Sequence, residues 1–326
     1  MAAIGTLRRM LLAPSLADVE FVRRGFPVEP TAATRRLEHV PQAVVCGFEW
    51  GIEAPSLHET ERRLAMIDPE LQGFAYEGAT MACVVRDAMG PGRPSRTRGL
   101  LTGAGARHIF LNYIGIGFAM ARLPRPLWKK VLPDLTGTAL YPQMHWLAVD
   151  GYGFDKAYFH TRRFVDEQRV PDAYPWQGDA AYFPRAVDQG IGRALWFIHG
   201  ARPANVAAAV RRFAADRQPD LWSGAGLAAA FAGCCTPTAL RTLPAEAGEH
   251  RADLAQGAVF AAKARVHAQA VPEHTHAALW ALAGLSVEQA SRLADDCAVA
   301  DAESPGVPAY ELWRRAVRSK VPTANR

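Results

Sequence analysis

The sequence predicts an all-α protein of stacked helical-hairpin repeats, and three observations carry that prediction. A Gly-x-Gly, or a one-glycine variant of it, recurs among small and aromatic residues at Gly115, Gly151, Gly190, Gly224 and Gly257, in steps of 36, 39, 34 and 33 residues. A near-constant period in this range is what stacked helical hairpins produce. The period-2 alternation that marks strands is almost absent. The segments between the glycines instead show helical spacing: over residues 205–217, Val206, Val210 and Phe213 share one stripe, with Arg211, Arg212 and Asp216 around the other side. The expected architecture is a TPR-like α-solenoid, with an α/α toroid as the version in which the stack closes.

Taken in order, residues 1–40 read as an amphipathic N-terminal arm ahead of a single helical-repeat domain over 41–326. Ser15 and Asp18, three apart before Val19, Phe21 and Val22, have the spacing of a capping box on a short helix, which Pro27 and Pro30 break. Residues 42–54 form a helix carrying Trp50 and ended by Pro55. Ser56 and Glu59 cap the next, whose apolar residues are Leu57, Leu64 and Ile67, and Pro69 introduces another over 71–87, where Tyr76 and Glu77 stand among small residues. Residues 89–105 hold Gly-Pro-Gly-Arg-Pro-Ser-Arg-Thr-Arg-Gly and read as a basic linker. Helices are expected over 106–123, 127–132 and 144–164, then a proline-rich loop over 166–185. Further helices are expected over 186–200, 205–217, 221–233, 252–268, 274–283, 286–297 and 310–318. Each glycine inside a helix costs about 1 kcal/mol against alanine. A helix that accepts two normally gains close approach of a neighbouring backbone, with Trp222 and Phe231 filling the gaps beside 221–233.

Composition bounds the function classes. In 326 residues, 49% are hydrophobic and 21% charged, with a net charge of +5, the profile of a soluble globular protein. Basic residues are scattered as Arg-Arg pairs, without a block long enough for a nucleic-acid arm, so nucleic acid is not expected as a partner. Residues 1–12 carry Arg8 and Arg9 where a signal peptide would carry its apolar core. The longest apolar run, 109–121, is interrupted by Asn112 and too short to span a bilayer. A cytoplasmic protein without a membrane span is the expectation. Cys46, Cys83, Cys234, Cys235 and Cys297 fit neither a disulfide framework nor a zinc pattern and read as reduced thiols.

The chemistry is harder to read. The glycine pairs lack the third glycine of a dinucleotide fingerprint and follow no β-branched run, and no Walker-type Gly-Lys-Ser/Thr loop occurs. His274-x-His276 lacks a nearby third ligand, so no metal and no cofactor is assigned. Serine-hydrolase and zinc-protease motifs are absent. What remains is charge inside small-residue helices. Asp150, ahead of Gly-Tyr-Gly-Phe, and Asp188, ahead of Gln-Gly-Ile-Gly-Arg193, stand at similar places in successive repeats. As N-caps they would be structural. If their helices begin earlier, a buried site results, with a carboxylate beside Arg193 orienting a ligand or holding a proton. Asp150, Asp188 and Arg193 are therefore the catalytic candidates.

These stretches also resemble a family. Asp188–Phe197, Asp150-Gly-Tyr-Gly-Phe, Leu221-Trp-Ser-Gly-Ala-Gly-Leu, Leu254-Ala-Gln-Gly-Ala-Val-Phe, Gly73-Phe-Ala-Tyr-Glu-Gly-Ala-Thr-Met and Gly115-Ile-Gly-Phe-Ala-Met are similar to an uncharacterised bacterial family of about this length. Its best-known members, called UnbL, are encoded in actinomycete enediyne polyketide cassettes beside UnbV and UnbU proteins. The chain departs from the pattern at Asp155-Lys156, where a histidine-containing variant is expected. The resemblance implies a role in converting the linear polyene product into the enediyne core, and it carries no catalytic assignment. Two functional classes are open. In the first, the protein binds or acts on an apolar polyene or polyyne, in a cavity lined by Tyr113, Tyr152, Trp196 and Trp222, with Glu77 a further ligand-binding candidate. In the second, it is a non-catalytic scaffold for other proteins of the cassette.

Overall fold

The computed structural model describes residues 6, 9–10, 13–90, 95–138, 140–299 and 306–322. The fold is all-α, built of helical repeats, and the β-type pairing among the described residues is an isolated bridge between Trp176 and Asp179. The chain divides into two compact units, one of residues 1–25 and 38–152 and one of residues 26–37 and 153–326. The principal helices are α1 (Ala32–Glu53), α2 (Leu57–Leu64), α3 (Pro69–Met89), α4 (Arg96–Thr102), α5 (Ile109–Arg122), α6 (Trp146–Phe159), α7 (Phe183–Ile198), α8 (Pro203–Arg211), α9 (Gln218–Phe231), α10 (Arg251–His267), α11 (Glu273–Ala283), α12 (Val287–Asp296) and α13 (Ala309–Lys320).

The glycine pairs explain how the long helices of each unit assemble. Residues i and i+2 of a helix lie about 200° apart around its axis. A Gly-x-Gly therefore bares the backbone on two opposite faces, one for the preceding glycine helix and one for the following. In the first unit, a β-carbon on Gly115 would lie 2.1 Å from the Glu77 carbonyl oxygen of α3, and one on Gly117 would lie 2.0 Å from Ala148 of α6. The contact is reciprocal, because Gly151 of α6 sits in the same way against Ile114. In the second unit, Gly153 meets Val187, Gly192 meets Leu221, Gly224 meets Gln189, and Gly226 and Gly257 join α9 to α10. Helices this close replace side-chain interdigitation with backbone contact, and the Cα hydrogens face carbonyl oxygens at weak hydrogen-bond range. Within each unit the glycine helices thus stand side by side, with shorter helices in the connections.

Local signals hold where capping chemistry sets them. Ser15 and Asp18 form a full capping box on a short 3-10 turn, Ser56 accepts from the Glu59 amide, and Ser286 and Gln289 form a second box on α12. Pro203 opens α8, and Val206, Val210 and Phe213 are buried as the stripe predicts, although α8 ends at Arg211 and Phe213 lies in the turn beyond it. Three larger differences from expectation stand out. Helix α1 begins ten residues early and carries Pro41 inside it. An interior proline gives up one helical hydrogen bond, at about 3 kcal/mol. Burial of Leu37, Val40, Val45 and Phe48 on the same helix offsets that cost. The expected linker over 89–105 contains α4 and a 3-10 turn at Ala104–His108, its Thr97 fastened to the Asp87 carboxylate at 2.9 and 2.8 Å. Its glycine–proline core, residues 91–94, lies outside the described residues, as do Pro305 and parts of the N-terminal arm. The expected helix over 144–164 is broken, with α6 ending at Phe159 and a π turn following at Arg162–Asp166.

Candidate functional site

Among the described residues, three buried polar assemblies stand out, each built on glycine helices. The largest docks α13 in the second unit. Arg314, 1% exposed, donates from one guanidinium nitrogen to Asp220 (2.7 Å), Glu311 (2.8 Å) and the Tyr182 hydroxyl (2.9 Å), and from Nε to Gln256 (3.2 Å). Glu311, fully buried, also accepts from Tyr182, Arg185, Arg315 and Arg318. Gln189 donates to Asp220 and to Tyr182. Burial pushes the Glu311 carboxyl up, but Arg314, Arg318 and Arg185 outweigh it and hold it at about 2. Arg314 Nη2 and Arg318 Nη1 stay buried without a hydrogen-bond partner among the described residues, but the Asp220 and Glu311 carboxylates are both met by arginines, so this cluster clamps α13 in place.

The second assembly is an ion pair between α7 and the turn before α9. Arg217 meets Asp188 side-on, at 2.5 and 2.9 Å, while its other nitrogen donates to the Gln168 carbonyl at 3.0 Å. Burial raises the Asp188 carboxyl and the bond from Arg217 only partly offsets it, leaving it at about 6. At the C-terminal end of α7, burial lowers the His199 imidazole to about 4.

The third assembly lies in the first unit and has the character of a site. Tyr113 on α5 is 1% exposed, and its hydroxyl has no hydrogen-bond partner among the described residues. Its ring lies 5.7 Å from that of His145, on the 3-10 turn Gln143–His145 that leads into α6. The His145 ring in turn meets Tyr141 edge-on at 4.9 Å. Tyr141 is half-buried, so the row runs from the surface to the buried phenol. Burial, reinforced by the Tyr141 phenol, raises the Tyr113 pKa, so its proton stays on oxygen and is available to donate. A buried hydroxyl left without a partner costs about 1–3 kcal/mol, which a bound acceptor would recover.

The helices position this row. Glycine contact at Ile114–Gly151 fixes α6 against α5, so Tyr113 and Asp150 flank one backbone contact on neighbouring helices. Asp150 is buried at the fifth residue of α6, and Asp188 at the sixth of α7. Neither is an N-cap, since these helices begin at Trp146 and Phe183. Counted from the glycines, the α7 counterpart of Asp150 is Gln189, and Asp188 is one residue out of register. The partner of Asp188 is Arg217 and not Arg193, whose guanidinium lies 4.9 Å over the Phe154 ring. Glu77 is buried on α3 beneath Gly115. Tyr152 meets Trp128 edge-on at 5.2 Å. Trp196 and Trp222 are fully buried in the second unit, and the Trp196 indole donates to the Gly233 carbonyl at 3.0 Å, a structural bond. Of the sequence-predicted residues, Tyr113, Tyr152, Asp150 and Glu77 fall in the first unit, and Asp188, Arg193, Trp196 and Trp222 in the second.

Sequence reasoning missed His145 and Tyr141 as companions of Tyr113, and Arg217 as the partner of Asp188. It also missed the cluster around Arg314. The signal for α13 was Glu311 followed by arginines three, four and seven residues on, a pattern that reads equally as an exposed salt-bridged face. No group of three or more histidine, cysteine or acidic residues suited to a metal occurs among the described residues. No helix among them is long and apolar enough to cross a membrane.

The model of a family described as a protein of unknown function, DUF1702, matches residues 3–321. No curated protein and no solved structure matches the chain. With nearly the whole length matched, from the N-terminal arm through α13, the chain belongs to the DUF1702 family.

Proposed function

We propose that this protein binds an apolar conjugated small molecule, with Tyr113, His145 and Tyr141 holding its polar end. On the resemblance to the UnbL proteins, the ligand is the linear polyene-derived intermediate of enediyne polyketide biosynthesis, and the setting is the cytoplasm. The observation that carries the reading is the Tyr113 hydroxyl, buried without a partner at the inner end of an aromatic row that starts at a half-buried tyrosine. Aromatic rings offer a conjugated chain stacking surface, and one convergent polar group fixes its orientation. Asp150, buried beside the same helix contact, is the candidate proton carrier in any reaction that follows binding. For Asp188 and Arg193 the supported role is packing, through Arg217 and Phe154.

Complementation of a producing strain that lacks the gene tests this reading. Tyr113→Phe should be at least as stable to heat as wild type, since it removes a buried hydroxyl without a partner, and should lower product formation at least about five-fold, the effect of one lost buried hydrogen bond. Wild-type product from a stable Tyr113→Phe variant would remove the site.

A second reading rests on Trp280 of α11, which is 70% exposed. An exposed tryptophan is typical of an anchor for a partner protein, which favours the scaffold class. Trp280→Ala should leave ligand binding intact, and loss of product with intact ligand binding would favour the scaffold.

A further inference from the structure

The Tyr113 environment also specifies the chemistry of the ligand's polar end, an inference that rests on the binding role just described. We propose that Tyr113 donates its hydroxyl proton to a neutral carbonyl oxygen, so that the ligand is a conjugated chain bearing a ketone, aldehyde or ester rather than a carboxylate or a bare hydrocarbon. Three observations lead there. The hydroxyl is buried without a partner, so it recognises a hydrogen-bond acceptor and penalises a hydrocarbon that leaves it unmet. Its neighbours are aromatic, the His145 ring at 5.7 Å and Tyr141 beyond it, and these rings solvate a neutral carbonyl better than an anion. Burial and Tyr141 both push the phenol's pKa upward, whereas a cation at hydrogen-bonding range would pull it down; the charge compensation a buried carboxylate needs is not supplied at this oxygen.

The connection ahead of His145 gives the direction of entry. Between the 3-10 turn Arg125–Lys130 and Gln143–His145 the described chain forms no helix, and Asp134, Thr136, Gly137 and Thr138 are exposed. Tyr141 sits at the end of that connection. A linear ligand approaching past Tyr141 meets His145 next and Tyr113 last, so the carbonyl belongs at the leading end of the molecule.

The test uses three matched probes: a conjugated tetraene methyl ketone, the tetraene hydrocarbon of equal length and the tetraenoate. Binding is followed by quenching of intrinsic tryptophan fluorescence and by the probe's own absorption. The ketone should bind roughly ten-fold more tightly than the hydrocarbon, the worth of one hydrogen bond made away from water. Its absorption should move to longer wavelength on binding, and its carbonyl stretch to lower frequency, because a donated proton polarises the conjugated carbonyl. Tyr113→Phe should erase both the preference and the spectral shifts without weakening hydrocarbon binding. The carbonyl stretch in the wild-type complex is decisive even if the variant fails to fold. Equal binding of ketone and hydrocarbon without a shift would overturn the carbonyl inference and leave the binding role standing. Preference for the tetraenoate would overturn it as well. Absence of binding by all three probes would overturn the binding role itself, and the inference with it.

Discussion

A β-carbon placed on Gly224 would lie 1.9 Å from the carbonyl oxygen of Gln189 on the neighbouring helix. The same carbon would sit 2.7 Å from the Arg193 amide nitrogen, four residues beyond Gln189 in the same helix, so it is blocked by backbone and no flexible side chain can yield. Gly224→Ala should therefore cost about 3 kcal/mol or more, against a helix-propensity gain of about 1 kcal/mol. Gly99→Ala is the control, because its nearest obstacle is the end of the Leu57 side chain. It should stay within about 1 kcal/mol of wild type. Chemical denaturation of both variants decides the matter, and similar stabilities would refute the backbone-contact account.

Removing Arg314 should be among the most damaging single changes in the second unit. Arg314→Met leaves Asp220 and Glu311 buried without the guanidinium they share, at a cost of about 3–5 kcal/mol. The Glu311 carboxyl is held at about 2, well below its unfolded value near about 4.3. The folded state then binds fewer protons, so the stabilisation is present above about pH 4 and is lost as pH falls toward about 2. Acid denaturation of Glu311→Gln should lack that component.

Asp188 acts in the opposite sense and in a different window. Its folded pKa of about 6 exceeds the unfolded value of about 4, so the folded state holds the extra proton. The Asp188 contribution to stability is greatest below about pH 4, declines as pH rises to about 6, and is flat beyond, by up to about 3 kcal/mol. Asp188→Asn should flatten this slope. His199, lowered to about 4, contributes a rise of opposite sign in this window, so the test is the difference between the Asp188→Asn and wild-type curves, and a level difference would show that Arg217 compensates the burial fully.

Thiol chemistry offers an independent check on packing. Cys83 and Cys297 are buried free thiols, and burial pushes the Cys83 thiol up to about 12. The Cys235 thiol is raised to about 11, chiefly by burial and further by Cys234. In the native protein at about pH 8, a disulfide reagent should leave Cys83 and Cys297 unmodified and react slowly at Cys235. All five should react at once in denaturant, and rapid native modification of Cys83 would contradict the packing of α3.

Much of the fold was legible because the glycine recurrence has a single physical cause. Helices that touch backbone to backbone need a gap in the side-chain surface once per repeat, and only glycine leaves it. That same recurrence drew attention to Asp150, ahead of Gly151, which meets Ile114 next to Tyr113. It misplaced Asp188 by one residue, because Gln189 also precedes a glycine and position alone does not say which residue faces which neighbour. Trp196 and Trp222, expected as ligand-facing aromatics, are fully buried in the second unit, and the Trp196 indole is bonded to the Gly233 carbonyl. The pairing of Asp188 with Arg217, 29 residues apart, and of Asp220 with Arg314, 94 apart, depends on tertiary register that local spacing does not encode. His145 and Tyr141 were hidden in a connection without periodicity. Nothing in a lone tyrosine on an apolar helix announces that its hydroxyl will be left without a partner.

The most direct measurement of the binding account is photo-crosslinking with a conjugated polyene ketone carrying a diazirine beside its carbonyl. After irradiation and digestion, the label should lie on peptides spanning residues 109–122 and 141–149, around Tyr113 and His145, with unlabelled ketone competing it away. Labelling confined to the surface around Trp280, or spread evenly and insensitive to competitor, would contradict the account.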